Sequence, residues 1–294
     1  MLKKSDNGVF FMLASALISA LNGALTKILS EDISALEIVF FRNLIGIFII
    51  LYALKHTPPK LTGGKFHLLF SRGLFGFMAM ILFFYTISVI PLGEAITLNK
   101  TSPFFVTILA FFLLKEELTF RTAFALFIGF SGVLLIVKPF GMEFSIIHVL
   151  GLFGGFFAAA AYTTIKKIKD IYDSRVIVLS FVGVGTFIPI VLFCIAPYVT
   201  LPASLSFLFP TFIVPKTITV WLLILLMALI STLSQWFLTK AYSAKNLSVV
   251  GVISYTNIPF AIGFGWLLGD HFPDYLTFIG IVLIVFGGVV VSRK

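Results

Sequence analysis

Residues Pro91 to Glu117 read PLGEAITLNKTSPFFVTILAFFLLKEE, a run apolar enough to cross a bilayer that still carries Glu94, Lys100 and Pro103 inside it. A charge at mid-bilayer costs on the order of 2.5–3.5 kcal/mol on the mildest insertion scale, so such residues normally face a polar cavity and mark a pathway. Read as one helix at about 100° per residue, Glu94, Thr97, Lys100, Thr101 and Thr107 share an arc of roughly 140°. Leu98, Phe105, Val106, Ala110 and Phe112 fill much of the remainder. The stretch therefore reads as a helix with one wet face. Pro103, on the far side, frees a backbone carbonyl, a defect tolerated in membranes where neighbours or water satisfy it. The competing reading is a structural ion pair between helices.

The rest of the chain fits a bilayer. Of its 294 residues 60% are hydrophobic and 11% charged, and the mean hydropathy is +1.12. Soluble domains carry about 25% charged residues, so this composition points to an integral membrane protein. The net charge of +9 forms no basic stripe with interleaved aromatics, which excludes nucleic acid as a partner. One cysteine, Cys194, excludes an internal disulfide and a multi-thiolate metal site within one chain. His56, His67, His148 and His271 are scattered near segment ends without HExxH spacing, and no phosphate-binding loop or GxSxG elbow occurs. No cofactor is expected. The 36 phenylalanines read as bilayer-facing bulk rather than an aromatic binding box.

Windows of about 20 residues, enough for a ~30 Å hydrocarbon core, recur at Gly8 to Leu29, Ser34 to Leu54, Phe66 to Val89, Pro91 to Leu113 and Phe120 to Val137. A second set follows at Ile146 to Ile165, Val176 to Ala196, Ile218 to Thr239, Ser248 to Leu268 and Tyr275 to Val291. The expectation is an all-α integral membrane protein of ten transmembrane helices. Too short an apolar core after Lys3 and Lys4 argues against a secretory signal, so the first window is read as an uncleaved span.

Counting loops alternately, the side holding the N-terminus carries 16 of the 21 basic residues, Arg72 among them; the other side has Lys138 and Lys216. Only Lys27, Arg42 and Lys100 fall within spans. By the positive-inside rule both termini are cytoplasmic, and Glu31, Asp32, Glu143, Asp270 and Asp274 lie outside. Lys27, near the outer end of its span, reads as a snorkelling lysine, and Glu37 as interfacial.

The halves repeat. Pro103-Phe104 recurs as Pro259-Phe260, LLKE at Leu113 to Glu116 as LLGD at Leu267 to Asp270, and Thr26-Lys27 as Ile165-Lys166-Lys167. Five spans per copy, an odd number, puts the second copy upside down. The expectation is two inverted five-helix repeats, residues 1–142 and 143–294, with the site between them near mid-membrane.

Arg42 and Lys100 lie about nine residues below the outer ends of their spans, roughly 13 Å deep at 1.5 Å per residue. An Arg fork and a mobile Lys charge together suit an anionic or zwitterionic solute. Glu94, shallower, is placed to pair Lys100 through Thr97 or to exchange a proton. In the partner repeat Lys100 maps to Thr256, Thr101 to Asn257 and Glu94 to Val250, so the site is asymmetric. Polar stripes on the first span, including Asn22, and on the eighth, including Gln235 and Tyr242, complete a candidate substrate-binding set of Arg42, Lys100, Glu94, Thr97, Thr101, Asn22, Gln235, Tyr242, Thr256 and Asn257. Such stripes also serve helix contact, and the Gly151 to Gly155 GxxxG reads as close packing.

The chain resembles the EamA branch of the drug/metabolite transporter superfamily. The likeness is carried by FFRN at Phe40 to Asn43, RGLFGFMAMILFFYTISVIPLGEA at Arg72 to Ala95, TSPFFVTILAFFLLKE at Thr101 to Glu116, and GFSGVLLIVKP at Gly129 to Pro139. It is weaker in the second half, where Asp270 stands for the family's usual Glu and the seventh span lacks an Arg. The resemblance implies a proton- or exchange-driven carrier of small organic solutes in the cytoplasmic membrane, working by alternating access, with export the expected direction and protons the candidate coupling ion. The alternative it leaves is an importer of S-adenosylmethionine or a related nucleoside metabolite. A lipid-modifying enzyme, which would need clustered carboxylates or histidines at one face, and a non-transporting membrane scaffold are the rivals from other classes.

Overall fold

A computed structural model describes residues 6–59, 63–114, 119–138, 145–168, 170–199, 203–242 and 253–292, and no β-strand occurs among them. The helices in chain order are α1 (Asp6–Leu29), α2 (Ala35–His56), α3 (Phe66–Val89), α4 (Leu92–Asn99), α5 (Ser102–Leu114) and α6 (Phe120–Val137). They continue with α7 (Ile146–Ile168), α8 (Ser174–Ile195), α9 (Ile218–Tyr242), α10 (Asn257–Leu267) and α11 (Tyr275–Ser292). Five stretches, Phe10–Leu29, Ala35–His56, Phe66–Val89, Ile146–Ile165 and Arg175–Tyr198, are long and apolar enough to cross a membrane, and Ala123–Val137, Ile218–Ser234 and Tyr275–Val290 are shorter apolar helices. Large apolar side chains stand on the outer surface, Phe120, Phe127 and Leu222 among them, as expected where the solvent is lipid.

The window from Pro91 to Leu113 is not one helix. It breaks at Lys100-Thr101 into α4 and α5, and the single continuous wet face expected from the sequence does not form. The cause is Pro103. It has no N–H to offer the Asn99 carbonyl four residues back, and its ring crowds that carbonyl. The last turn of α4 tightens instead, with Lys100 N–H on Ile96 O at 2.9 Å and Thr101 N–H on Leu98 O at 3.1 Å. Pro259 stands in the first turn of α10, which follows a 3₁₀ turn at Ser254–Thr256. Residues 248–252 of the expected ninth window lie outside the described residues.

Four helix pairs hold the bundle: α3 with α7, α6 with α11, α1 with α9 and α2 with α8. Small residues set their spacing, as van der Waals association in a bilayer requires. A Cβ on Gly132 would sit 2.6 Å from the Gly280 carbonyl oxygen, and one on Gly280 would sit 2.6 Å from that of Gly132. Gly151 and Gly155 of α7 pack against α4 and its break, where a Cβ on Gly155 would meet Thr101 Oγ1 at 2.8 Å and Leu98 O at 3.1 Å. The GxxxG is thus a packing device that lets α7 lie on the exposed backbone of the break.

The stretch between α8 and α9 folds back onto the bundle. Phe207 stacks on Tyr85 with centroids 3.9 Å apart, and Ile213 N–H donates to Glu37 Oε1 at 2.6 Å. Glu37 is therefore buried within the protein, 1% exposed. Its other oxygen closes a capping box on Ser34 at the start of α2, which satisfies two orphan helix N–H groups.

Gly132→Val should destabilise the protein by about 1–3 kcal/mol through overpacking against backbone that has nowhere to move. Gly183→Ala, where a Cβ meets nothing within 4 Å, should hold or raise the thermal midpoint. Tryptophan-fluorescence melts of both variants in the same detergent check this.

Candidate functional site

Arg42 lies about two turns into α2, fixed in depth by the capping box beneath it. Its Nε donates to Ser231 Oγ on α9 at 2.8 Å and its Nη1 to the Met80 sulfur on α3 at 3.0 Å. A thioether is a weak acceptor, so the guanidinium is held in place without its charge being neutralised. Asn43 next to it donates to Gly185 O on α8 at 3.3 Å, while its own oxygen is buried without a partner. Lys100 caps α4 at the break, half-buried, and its ammonium has neither hydrogen bond nor ion pair among the described residues.

Beside them α1 meets α9 and α10. Ser15 donates to Ser234 O at 2.9 Å, and Asn257 Nδ2 donates to Ala16 O at 2.7 Å. Asn22, half-exposed on the same helix, has a buried side-chain oxygen with no partner. The threonines of the expected set turn inward. Thr97 donates to Gly93 O at 2.7 Å, Thr101 to Leu98 O at 2.6 Å and Thr256 to Ile253 O at 2.7 Å, and the first two are fully buried. The side chains of Gln235 and Tyr242 lie outside the described residues.

A second polar assembly closes the end of the bundle that holds the α1–α2 turn, and here the structure corrects the sequence reading. Lys27 does not snorkel. Its ammonium pairs with Asp270 and also donates to Ile90 O at 3.3 Å. Asp270 is likewise no exposed loop acid. Helix α10 ends in a Schellman turn, with Asp270 N–H on Gly265 O at 2.9 Å and Gly269 at φ +90°, a conformation that glycine adopts without a Cβ clash. That turn swings the carboxylate back onto Lys27 and onto the N–H of Leu92 at 2.8 Å, the open N-terminus of α4.

Glu94 does not reach toward Lys100. Its carboxylate meets His148 Nε2 on α7 at 3.2 Å, and a small crevice lined by Pro91, Glu94, Ile262, Asp270 and His271 opens beside it. The sequence reading missed His148 as a partner because 54 residues separate the two; its place near the outer end of a span was the only available signal. It also missed Arg72, counted as a loop cation but in fact buried within α3 at 9% exposure.

A bundle of packed apolar helices, several of them long and apolar enough to cross a membrane, is that of a multi-pass membrane protein. The chain belongs to the EamA-like transporter family, whose model matches residues 6–138. It is 35% identical over 283 residues, 96% of this chain and 94% of the other, to the pseudopaline exporter CntI of Pseudomonas aeruginosa. It is 25% identical to the S-adenosylmethionine uptake transporter of Rickettsia prowazekii over 97% of this chain and 92% of that one. A protein of known crystal structure, 18% identical, shares the fold with a TM-score of 0.56 over 98% of this chain and 95% of its own. The relatives are transporters, not enzymes.

Removing one partner of a mostly buried ion pair strands the other, at about 3–5 kcal/mol. Lys27→Ala and Asp270→Ala should therefore each lower the thermal midpoint, and the exchanged pair Lys27→Asp/Asp270→Lys should recover part of the loss. At the surface, the Asp274 carboxyl is pulled down to about 2 by Lys138 first and by the Thr277 side chain second. Its folded value lies below its unfolded value near 3.8, so the stability it contributes is present above that pH and lost as pH falls through about 2. The gap in melting temperature between wild type and Asp274→Asn should close over that window.

Proposed function

We propose that the protein is a secondary active transporter that moves a small amino-acid-like metabolite, zwitterionic or anionic, out across the cytoplasmic membrane by alternating access. The observation that carries this reading is the helix break at Lys100, which leaves an unpaired ammonium and a loosened backbone well inside an apolar bundle. Arg42 and Lys100 hold the carboxylate of the solute. Of the expected set, Asn22, whose side-chain oxygen has no partner, together with Gln235 and Tyr242 supplies the polar surroundings, while Thr97, Thr101, Thr256 and Asn257 donate to backbone carbonyls. Glu94, beside His148 Nε2, carries the coupled proton.

The architecture proposed is ten spans in two inverted repeats, residues 1–142 and 143–294, with α4 and α5 forming the fourth span and both termini cytoplasmic. The packing supports it. Exchanging α1, α2, α3, α4–α5 and α6 for α7, α8, α9, α10 and α11 turns the α3–α7 contact into α9–α1 and the α5–α7 contact into α10–α1. The same exchange leaves α2–α8, α4–α10 and α6–α11 as they are. Two four-helix groups of this kind can rock about a fixed central site. The bias of basic residues toward the N-terminal side supports the orientation.

Export is favoured by the relative named as an exporter at 35% identity. The second reading, uptake of S-adenosylmethionine or a related nucleoside metabolite, has a relative named for uptake at 25% identity in its favour. Untargeted metabolite profiling of cells with and without the protein names the solute and its direction. Flux of that solute into proteoliposomes should then fall at least about tenfold for Arg42→Ala, Lys100→Ala and Glu94→Gln; wild-type flux in all three would sink the assignment.

A further inference from the structure

Helix α10 is held at its two ends by different means. At its base the chain enters through the 3₁₀ turn Ser254–Thr256, and Asn257 Nδ2 donates to Ala16 O of α1 at 2.7 Å. Pro259 has no N–H to give the Tyr255 carbonyl four residues back, so this joint lacks a bond that a continuous helix would have. A short 3₁₀ stretch at a helix end is a place where a helix can hinge. At the tip, further along α1 by roughly 16 Å at 1.5 Å per residue, the hold is by charge. Asp270 takes the Lys27 ammonium on one oxygen and the Leu92 N–H of α4 on the other, the latter at 2.8 Å.

Between base and tip, glycines set the fit of α10 on α4. A Cβ on Gly93 would fall 2.4 Å from Ile262 Cγ1, and one on Gly265 would fall 2.6 Å from Asp270 Oδ2, so Gly265 makes the room for the carboxylate to fold back. A crevice already follows this seam, lined by Gly93 and Glu94 on one side and by Ile262, Gly265 and Asp270 on the other. The two helices run antiparallel, with Leu92 against Gly265 and Gly93 against Ile262. Lys100, about two turns on from Gly93 and on the same face of α4, therefore lies toward the 3₁₀ end of α10. The other face of α10 carries Trp266 and Leu267, 64% and 73% exposed, and residues 271–274, which belong to no helix, join its tip to α11. The helix thus has room outside it and slack at its tip.

We propose that α10 is the outer gate of the transport path. It pivots at its 3₁₀ base and is latched shut at its tip by Asp270, which bridges Lys27 and the start of α4. Breaking the latch lets the tip swing away and opens the α4–α10 seam from the outer side down toward Lys100. The gate rests on the alternating-access reading for its purpose, but its test needs no solute.

The test is cysteine accessibility in the full chain, in right-side-out membrane vesicles and a Cys194→Ser background, with a membrane-impermeant methanethiosulfonate as the probe. The reporter is Ala261→Cys, on the buried face of α10; Ala159→Cys, equally buried on α7, is the control. Asp270→Asn and Lys27→Gln should each raise the labelling rate of the reporter at least about tenfold and leave the control unchanged. The exchanged pair Lys27→Asp/Asp270→Lys should label at an intermediate rate, because it restores the ion pair but sets a lysine against the Leu92 N–H. Equal reporter rates with and without the latch overturn the proposal, and so does a matching rise at the control, which would mean general loosening. If neither single variant folds, a wild-type rate in the exchanged pair overturns it. Latch-dependent labelling in a protein that moves no solute would sink the transporter reading and leave the gate; flux with latch-independent labelling would do the reverse.

Discussion

Pro103 cannot give the Asn99 carbonyl the N–H that a continuous helix would, and inside hydrocarbon a carbonyl left without a donor costs several kcal/mol. Much else in the bundle follows from where that defect can be kept. It has to lie inside protein, so a neighbour must come close enough to cover it. Gly151 and Gly155 of α7 let the two backbones approach to that distance. The break also stops α4 at Lys100, so a lysine that a straight helix would aim in one direction becomes a helix cap beside loosened backbone. Where Pro259 stands at the head of α10, the neighbouring Asn257 is spent on the Ala16 carbonyl of α1.

The far end of the same stretch is organised by one carboxylate. Asp270 receives the Lys27 ammonium and the Leu92 N–H together, which joins α1, the end of α10 and the start of α4. A charge at an open helix N-terminus is favoured by the helix dipole as well as by its ion partner, and the low-dielectric surroundings strengthen both. Any movement that parts α1 from α10 at this end has to break that arrangement. Glu94 and His148 tie α4 to α7 alongside it. Among the described residues the ion pairs lie at the ends of the bundle, Asp173 with Arg175 at the end opposite Asp270, while Arg42, Lys100 and Arg72 within it have no ion pair.

Much of this was legible in the residues. The apolar windows each contain a helix, the family likeness carried by TSPFF and GFSGV holds, and the glycines of α7 pack as their spacing implied. The candidate site was legible in part. Arg42 and Lys100 are inside the bundle, as their depth in apolar runs required, but the arc that joined Glu94, Thr97 and Thr101 to Lys100 assumed a helix that Pro103 ends. Thr97 and Thr101 satisfy their own helix. Lys27 was assigned to the surface because it stands near the outer end of its span; its partner is 243 residues away.

The sequence alone determined the multi-pass membrane character of the chain, the order of its apolar stretches and the place of Arg42 and Lys100 within them, because these depend on composition and on the order of residues. Only the tertiary structure decided who neutralises whom. Pairings such as Lys27 with Asp270, Glu94 with His148 and Arg72 with the face of Phe181 depend on where α10, α7 and α8 return through the bundle. That is set by glycine contacts and helix ends acting across long separations, which no local pattern of residues encodes.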